Sequence, residues 1–207
     1  MTLQAWALVA SILLAFAGYL ATYANNRLLT RRRERLELVN KRLNDFYGPL
    51  YIATTVGSTA YDALVQKLKR ENDPDLRNPL TEKEYAEWRI WVSNVFMPLN
   101  EQCERILLAH AYLMVEHEVP TCILEFITHV AAYRAVVAKW KAGDYGEWDS
   151  IIDYPESLHE YAKSMYIELK TEQLSLIGKL HRAIGTRSLT WRSPRADTSL
   201  KTGPGKY

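Results

Sequence analysis

Residues 3–24 carry no charged side chain, and no other stretch constrains the chain as tightly. As a helix, these 22 residues rise about 33 Å, the hydrocarbon thickness of a bilayer. Leu3, Leu8, Val9, Ile12, Leu13, Leu14, Phe16 and Leu20 each favour insertion by about 0.3–0.6 kcal/mol, opposed by Gln4, Ser11 and Thr22 but by no charge. Trp6 near one end, and Tyr19 and Tyr23 near the other, stand where amphipathic rings settle at the membrane interface. Trp6, Phe16, Tyr19 and Tyr23 are therefore the expected anchor and interface residues. A cleaved signal peptide is the competing reading. The run lacks the basic leading segment of such signals, and the five arginines just behind it would have to be exported.

Charge is segregated along the rest of the chain. Residues 27–42 carry seven bases against two acids, a net of +5, while residues 186–207 carry +4 and residues 43–185 carry −7. Basic residues flank membrane spans on the cytoplasmic side. The expected arrangement is a single-pass protein of the cell (inner) membrane, N-terminus outside and C-terminal domain cytoplasmic. Arg27, Arg31, Arg32, Arg33 and Arg35 then form a collar at the lipid headgroups, where each base adds about 1 kcal/mol of attraction to an anionic leaflet. Cysteine usage fits a reducing compartment, since Cys103 and Cys122 have no framework spacing.

Beyond the collar the apolar pattern is helical throughout. Leu36, Val39, Leu43, Phe46 and Leu50 follow heptad spacing. Leu36, Val39, Leu43 and Phe46 are thus a candidate self-association seam of coiled-coil type, or else the face by which this helix packs on its own domain. Gly48 and Pro49 are expected to break the run, with a new helix from Pro49 to near Arg70. Residues 72–80, with two prolines, read as a loop. Thr81 and Glu84 form a capping-box signature that opens the next helix. Pro98 should kink or restart it, and an apolar stripe then runs from Leu99 to Met114. Pro120 marks a turn, Gly143 suits a left-handed cap after the following helix, and a last helix covers residues 155–184.

The fold class is all-α: one N-terminal transmembrane helix continuing into a juxtamembrane stalk, then a cytosolic bundle of about four to five helices. The expected units are a transmembrane anchor at 1–26, a basic juxtamembrane helix at 27–47, the helical bundle at 48–185 and a basic disordered tail at 186–207. A continuous helix over 27–47 would hold the acidic body about 30 Å from the anionic surface. Within the bundle, the acidic loop over 143–155 with Tyr145, Trp148 and Tyr154 is either core packing or a partner-binding patch.

Signatures of strong chemistry are absent. No phosphate-binding glycine loop, GxSxG, HExxH or paired CxxC occurs. Of the five histidines, His110 lies on an apolar stripe, where a hydrogen-bonded core histidine is the ordinary outcome. No metal site and no cofactor are expected.

Arg105 and His110, in the run RILLAH, match the spacing of arginine and histidine in the HEPN ribonucleases, which are also helical bundles. The resemblance implies a membrane-tethered RNA-cleaving pair made of Arg105 and His110. Against it, Ile106 stands where a polar residue is common in that family, and an acidic body is a poor host for RNA. Nucleic acid is therefore not an expected partner. Residues 46–51, FYGPLY, resemble the junction in uncharacterised bacterial proteins with one N-terminal span and a helical domain, some of them in stress or antiviral-defence settings. The functional expectation is a noncatalytic, membrane-anchored interaction protein that binds a protein partner or a second copy of itself.

Overall fold

The computed structural model describes residues 3–68, 80–146 and 150–184. Every regular element among them is helical. α1 (Leu3–Arg42), a π-helical turn (Leu43–Tyr47) and α2 (Gly48–Leu68) follow one another without a gap. α3 (Glu82–Trp91), a second π-helical turn (Val92–Phe96) and α4 (Met97–Ala109) do the same. α5 (Thr121–Lys141) and α6 (Ser157–Ile184) complete the set, so four continuous rods account for the described fold.

The expected break at Gly48 and Pro49 does not occur, nor does a restart at Pro98. A proline inside an α-helix has no N–H for the carbonyl four residues back, and its ring strikes that carbonyl. Here those carbonyls belong to Asp45 and Asn94, and each lies inside a π turn. Widening the turn moves the obstructing carbonyl aside, and the chain remains helical. The bonds that close the turns reach five residues back, from Gly48 N–H to Leu43 O and from Met97 N–H to Val92 O. In the first turn the fit demands glycine, because a Cβ at position 48 would stand 2.3 Å from the Leu43 carbonyl oxygen.

From Trp6 to Leu28 the large apolar side chains of α1 with described burial are exposed, and the helix is long and apolar enough to cross a membrane. Packing begins further along. α6 runs antiparallel to α1, joined by Arg35 to Glu172 (Nε–Oε1 2.6 Å, Nη2–Oε2 3.2 Å) and by Gln173 Nε2 donating to Asn40 Oδ1 at 2.6 Å. The juxtamembrane segment is thus a two-helix stalk and not a lone one. The self-association seam is corrected in the same way: Val39, Leu43 and Phe46 are fully or almost fully buried inside their own chain, and Leu36 packs against them. The heptad stripe serves the face that meets α6 and the bundle.

α2, α4, α5 and the first half of α6 surround a core that includes Leu50, Leu107, Ile123, Phe126, Val130 and Leu158. α5 is also apolar enough to span a membrane, but its inner face, from Ile123 to Trp140, is buried in this core. At full burial each such side chain contributes about 1.5–3 kcal/mol. The Thr81–Glu84 capping box is formed, with Glu84 N–H on Thr81 Oγ1 and the Glu84 carboxylate on Thr81 N–H. Gly143 adopts φ 83° after α5, the left-handed conformation anticipated for it. α4 ends at Ala109, earlier than the apolar stripe suggested. His110 leaves helical geometry at φ −119°, ψ 19°, and a short 3₁₀ turn (Ala111–Leu113) carries Leu113 into the core. Most of the expected loop at 72–80, together with Trp148, Gly185 and the basic tail at 186–207, lies outside the described residues.

Candidate functional site

A cavity of about 600 Å³ opens between α2, the α3–α4 rod, α5 and the start of α6. That size falls in the range of small-molecule pockets. One wall is aromatic. Trp88 and Phe96 are brought together by the second π turn, with ring centroids 5.9 Å apart, and Tyr61 of α2 stands 6.5 Å from Trp88 and 6.4 Å from Phe96. Asp62 follows Tyr61 in sequence and lines the same cavity.

The opposite wall comes from α5 and the segment before α6. His129 is buried, and its Nδ1 lies 2.6 Å from the Ile152 carbonyl oxygen. A carbonyl only accepts, so Nδ1 carries the proton. Tyr133 and Tyr154 box the imidazole edge-to-face, at 5.1 and 5.6 Å. His159 is placed in the same sense. The buried Thr54 hydroxyl donates to the Tyr51 carbonyl at 3.1 Å, and so accepts from His159 Nδ1 at 3.2 Å.

Around these rings stand four carboxylates, Asp62, Asp153, Glu156 and Glu160, while among the described residues no lysine or arginine lines the cavity. Glu160 has Lys163 Nζ at 3.6 Å. Asp62, Asp153 and Glu156 have no ion pair among the described residues. Burial pushes the Cys103 thiol on the same wall up to about 12, so it stays protonated and a poor nucleophile at neutral pH. The Tyr154 hydroxyl is also raised by burial. The cavity is thus lined by carboxylates and aromatic rings, with the His129 imidazole held in place by the Ile152 carbonyl.

A second polar cluster ties the α4–α5 connection to the first π turn. Val115 N–H donates to Tyr47 Oη at 3.2 Å and to Glu116 Oε2 at 3.1 Å, and Tyr161 Oη donates to the same carboxylate at 3.2 Å. Burial raises both tyrosine hydroxyls, which keeps them as neutral donors.

The residues singled out from the sequence are dispersed. Arg105 is exposed on α4, whereas His110 is half-buried at its end, with Nδ1 enclosed and unpartnered. Five positions apart on a helix is a rotation of about 140°, so the two do not share a face. Neither lines the cavity. Of the collar, Arg27, Arg31 and Arg33 are exposed and Arg32 is half-buried. Arg35 differs from the expected headgroup role, because its guanidinium is engaged by Glu172. Trp6, Phe16, Tyr19 and Tyr23 are all exposed along the apolar part of α1, with Tyr19 and Tyr23 stacked at 6.4 Å. Among the described residues no group of three or more histidine, cysteine or acidic side chains is placed to hold a metal ion. Comparison with known families, with curated proteins and with solved structures finds no match to this chain.

The cavity escapes sequence reading because its lining is scattered. Thr54 and His159, in direct hydrogen bond, are separated by 105 positions. Tyr61 and Trp88 carry the spacing of core residues, and helical periodicity does not distinguish a packed core from the wall of a void. The net charge of the body was the one available signal, and it does not show that several carboxylates share one mouth.

Proposed function

We propose that this chain is a single-pass protein of the cell inner membrane. In this reading the apolar part of α1 lies in the bilayer, the N-terminus is outside, and the helical body works at the cytoplasmic face as a noncatalytic binding module for a protein partner or a second copy. The observation that carries it is the contrast along one rod. Large apolar side chains from Trp6 to Leu28 are exposed, and the same helix becomes a buried core element from Val39 onward. Surface of that kind on a soluble protein would be an aggregation liability; in lipid it is satisfied. The arginines at 27–33 supply the positive-inside signal just where the apolar run ends.

The end of α6 strengthens that placement. With Arg35 level with Glu172 on antiparallel helices, Lys179 and Arg182 come to about the height of residues 25–28 of α1. Two helices then present bases to the same leaflet. A binding role over a catalytic one is favoured by the chemistry of the cavity, where burial keeps the Cys103 thiol protonated.

Full-length protein should remain in the membrane pellet after an alkaline carbonate wash, and a reporter fused after Tyr207 should be active only if of the cytoplasmic type. Release by carbonate would overturn the anchor, and activity of a periplasmic reporter would reverse the orientation. Mild crosslinking in membranes should capture a defined protein or a dimer; a chain that stays solitary throughout sinks the interaction reading.

A further inference from the structure

The charges of α1 and α6 change character at one height, although the residues that meet there lie 137 positions apart in the chain. On α1 the acids begin at Glu34, and residues 27–33 carry Arg27, Arg31, Arg32 and Arg33 with no acid. On α6 the last acid is Glu172, and residues 173–184 carry Lys179 and Arg182 with no acid. The Arg35–Glu172 pair sets these antiparallel helices in register, so Glu34 and Glu172 stand almost level. Beyond that level, toward the exposed apolar part of α1, both helices carry bases alone. We propose that this end of the stalk is a binding surface for the headgroups of anionic phospholipids, with Lys179 and Arg182 of α6 as part of it, a reading that rests on the membrane placement proposed above.

α6 is held against α1 at that level. Leu176 and Leu180 are buried, and on the facing stretch of α1 Leu29 and Arg32 are half-buried. Arg27, Arg31, Arg33, Lys179 and Arg182 are exposed. Among the described residues none of the six bases has an ion pair, whereas Arg35 is engaged by Glu172. The six lie within about 12 Å of stalk height, close to a Debye length at physiological salt, so they repel one another and an anion placed among them relieves the repulsion.

What surrounds the bases identifies the occupant. Tyr23 and Leu28 are exposed beside them, so one stretch of surface offers apolar area and positive charge together. A phospholipid satisfies both, its chains against the apolar helix and its phosphate against the bases. RNA or free phosphate satisfies the charge alone. Orientation of the span is served by the arginines that directly follow it and does not need Lys179 or Arg182, which reach this level only through the fold.

Native mass spectrometry of the full-length protein in a nonionic detergent tests the proposal, with phosphatidylglycerol and phosphatidylcholine of identical acyl chains titrated in turn. Phosphatidylglycerol should be retained about tenfold more tightly. The double variant Lys179→Gln/Arg182→Gln alters two exposed side chains, so the fold is retained, which circular dichroism verifies. It should weaken phosphatidylglycerol binding roughly tenfold and leave phosphatidylcholine unchanged. Lys163→Gln/Lys170→Gln, on the same helix but on the body side of Glu172, should bind as the wild type does. The proposal is overturned if both lipids are retained alike, if the Lys179/Arg182 variant holds phosphatidylglycerol unchanged, if the control variant loses it equally, or if a decauridylate RNA displaces it. Carbonate extraction keeps the two readings apart: protein that stays in the pellet yet ignores headgroup charge refutes this inference alone, and release by carbonate refutes the placement itself.

Discussion

Two side chains at the bundle surface test how the acidic body tolerates its own charge. Glu104 is buried on α4 and forms a double contact with Arg134 of α5, one leg from Nη1 to Oε1 at 3.1 Å and the other from Nη2 to Oε2. Removing the guanidinium leaves a buried acceptor unpaired. Arg134→Ala should therefore lower stability by about 1–3 kcal/mol in chemical denaturation, while Arg134→Lys should recover only part of the loss. Cys103 gives a pH signature. Its folded pKa is raised above the unfolded value by burial, so its contribution is fully present below about 9 and is lost as pH climbs toward about 12. The hydroxyls of Tyr47, Tyr154 and Tyr161 shift in the same direction. The melting temperature should fall steeply above pH 9, and iodoacetamide at pH 7.5 should leave Cys103 unmodified in the folded protein; rapid labelling would contradict the burial.

Among elements, the π turns carry the clearest prediction. Gly48→Ala forces a methyl group against the Leu43 carbonyl and should destabilise the protein by about 1–3 kcal/mol, well beyond the gain that alanine brings to an ordinary helix position. A thermal midpoint unchanged or raised would show that the turn can relax to α geometry. Much at this scale was legible in the sequence. Thr81 and Glu84 announced a helix start through three-residue spacing, and Gly143 announced a stop through its freedom at positive φ. Pro49 and Pro98 were misleading, since the rule that proline ends a helix holds only for a regular ladder of bonds. A single wide turn placed ahead of each proline suspends the rule, and no residue type marks such a turn. The end of α4 was misplaced for a related reason. Leu113 is apolar and buried, so it extends the stripe, but it reaches the core from a 3₁₀ turn.

In the whole molecule, the α1–α6 pairing decides how many chains make the stalk. With Cys122→Ser as background, cysteines placed at Asn40 and Gln173 should join through a short bifunctional thiol reagent within one chain, giving a product that runs as a monomer on a denaturing gel. A crosslinked dimer would restore the seam between copies. The stalk also explains why the heptad reading admitted two outcomes: a stripe of Leu36, Val39, Leu43 and Phe46 specifies that a helix will be covered, not which chain supplies the cover.

One consequence follows from the unbroken path of α1, its π turn and α2. Thr54, Gly57 and Asp62 line the cavity on the rod whose other end is the exposed apolar helix. From Arg27 to Ser58 that rod measures about 46 Å, so a tilt of about 5° at the arginine collar sweeps its far end sideways by about 4 Å. On the proposed membrane placement the molecule is a lever with its fulcrum at the arginine collar, and a tilt of the short arm in the bilayer would be carried along the long arm toward the pocket.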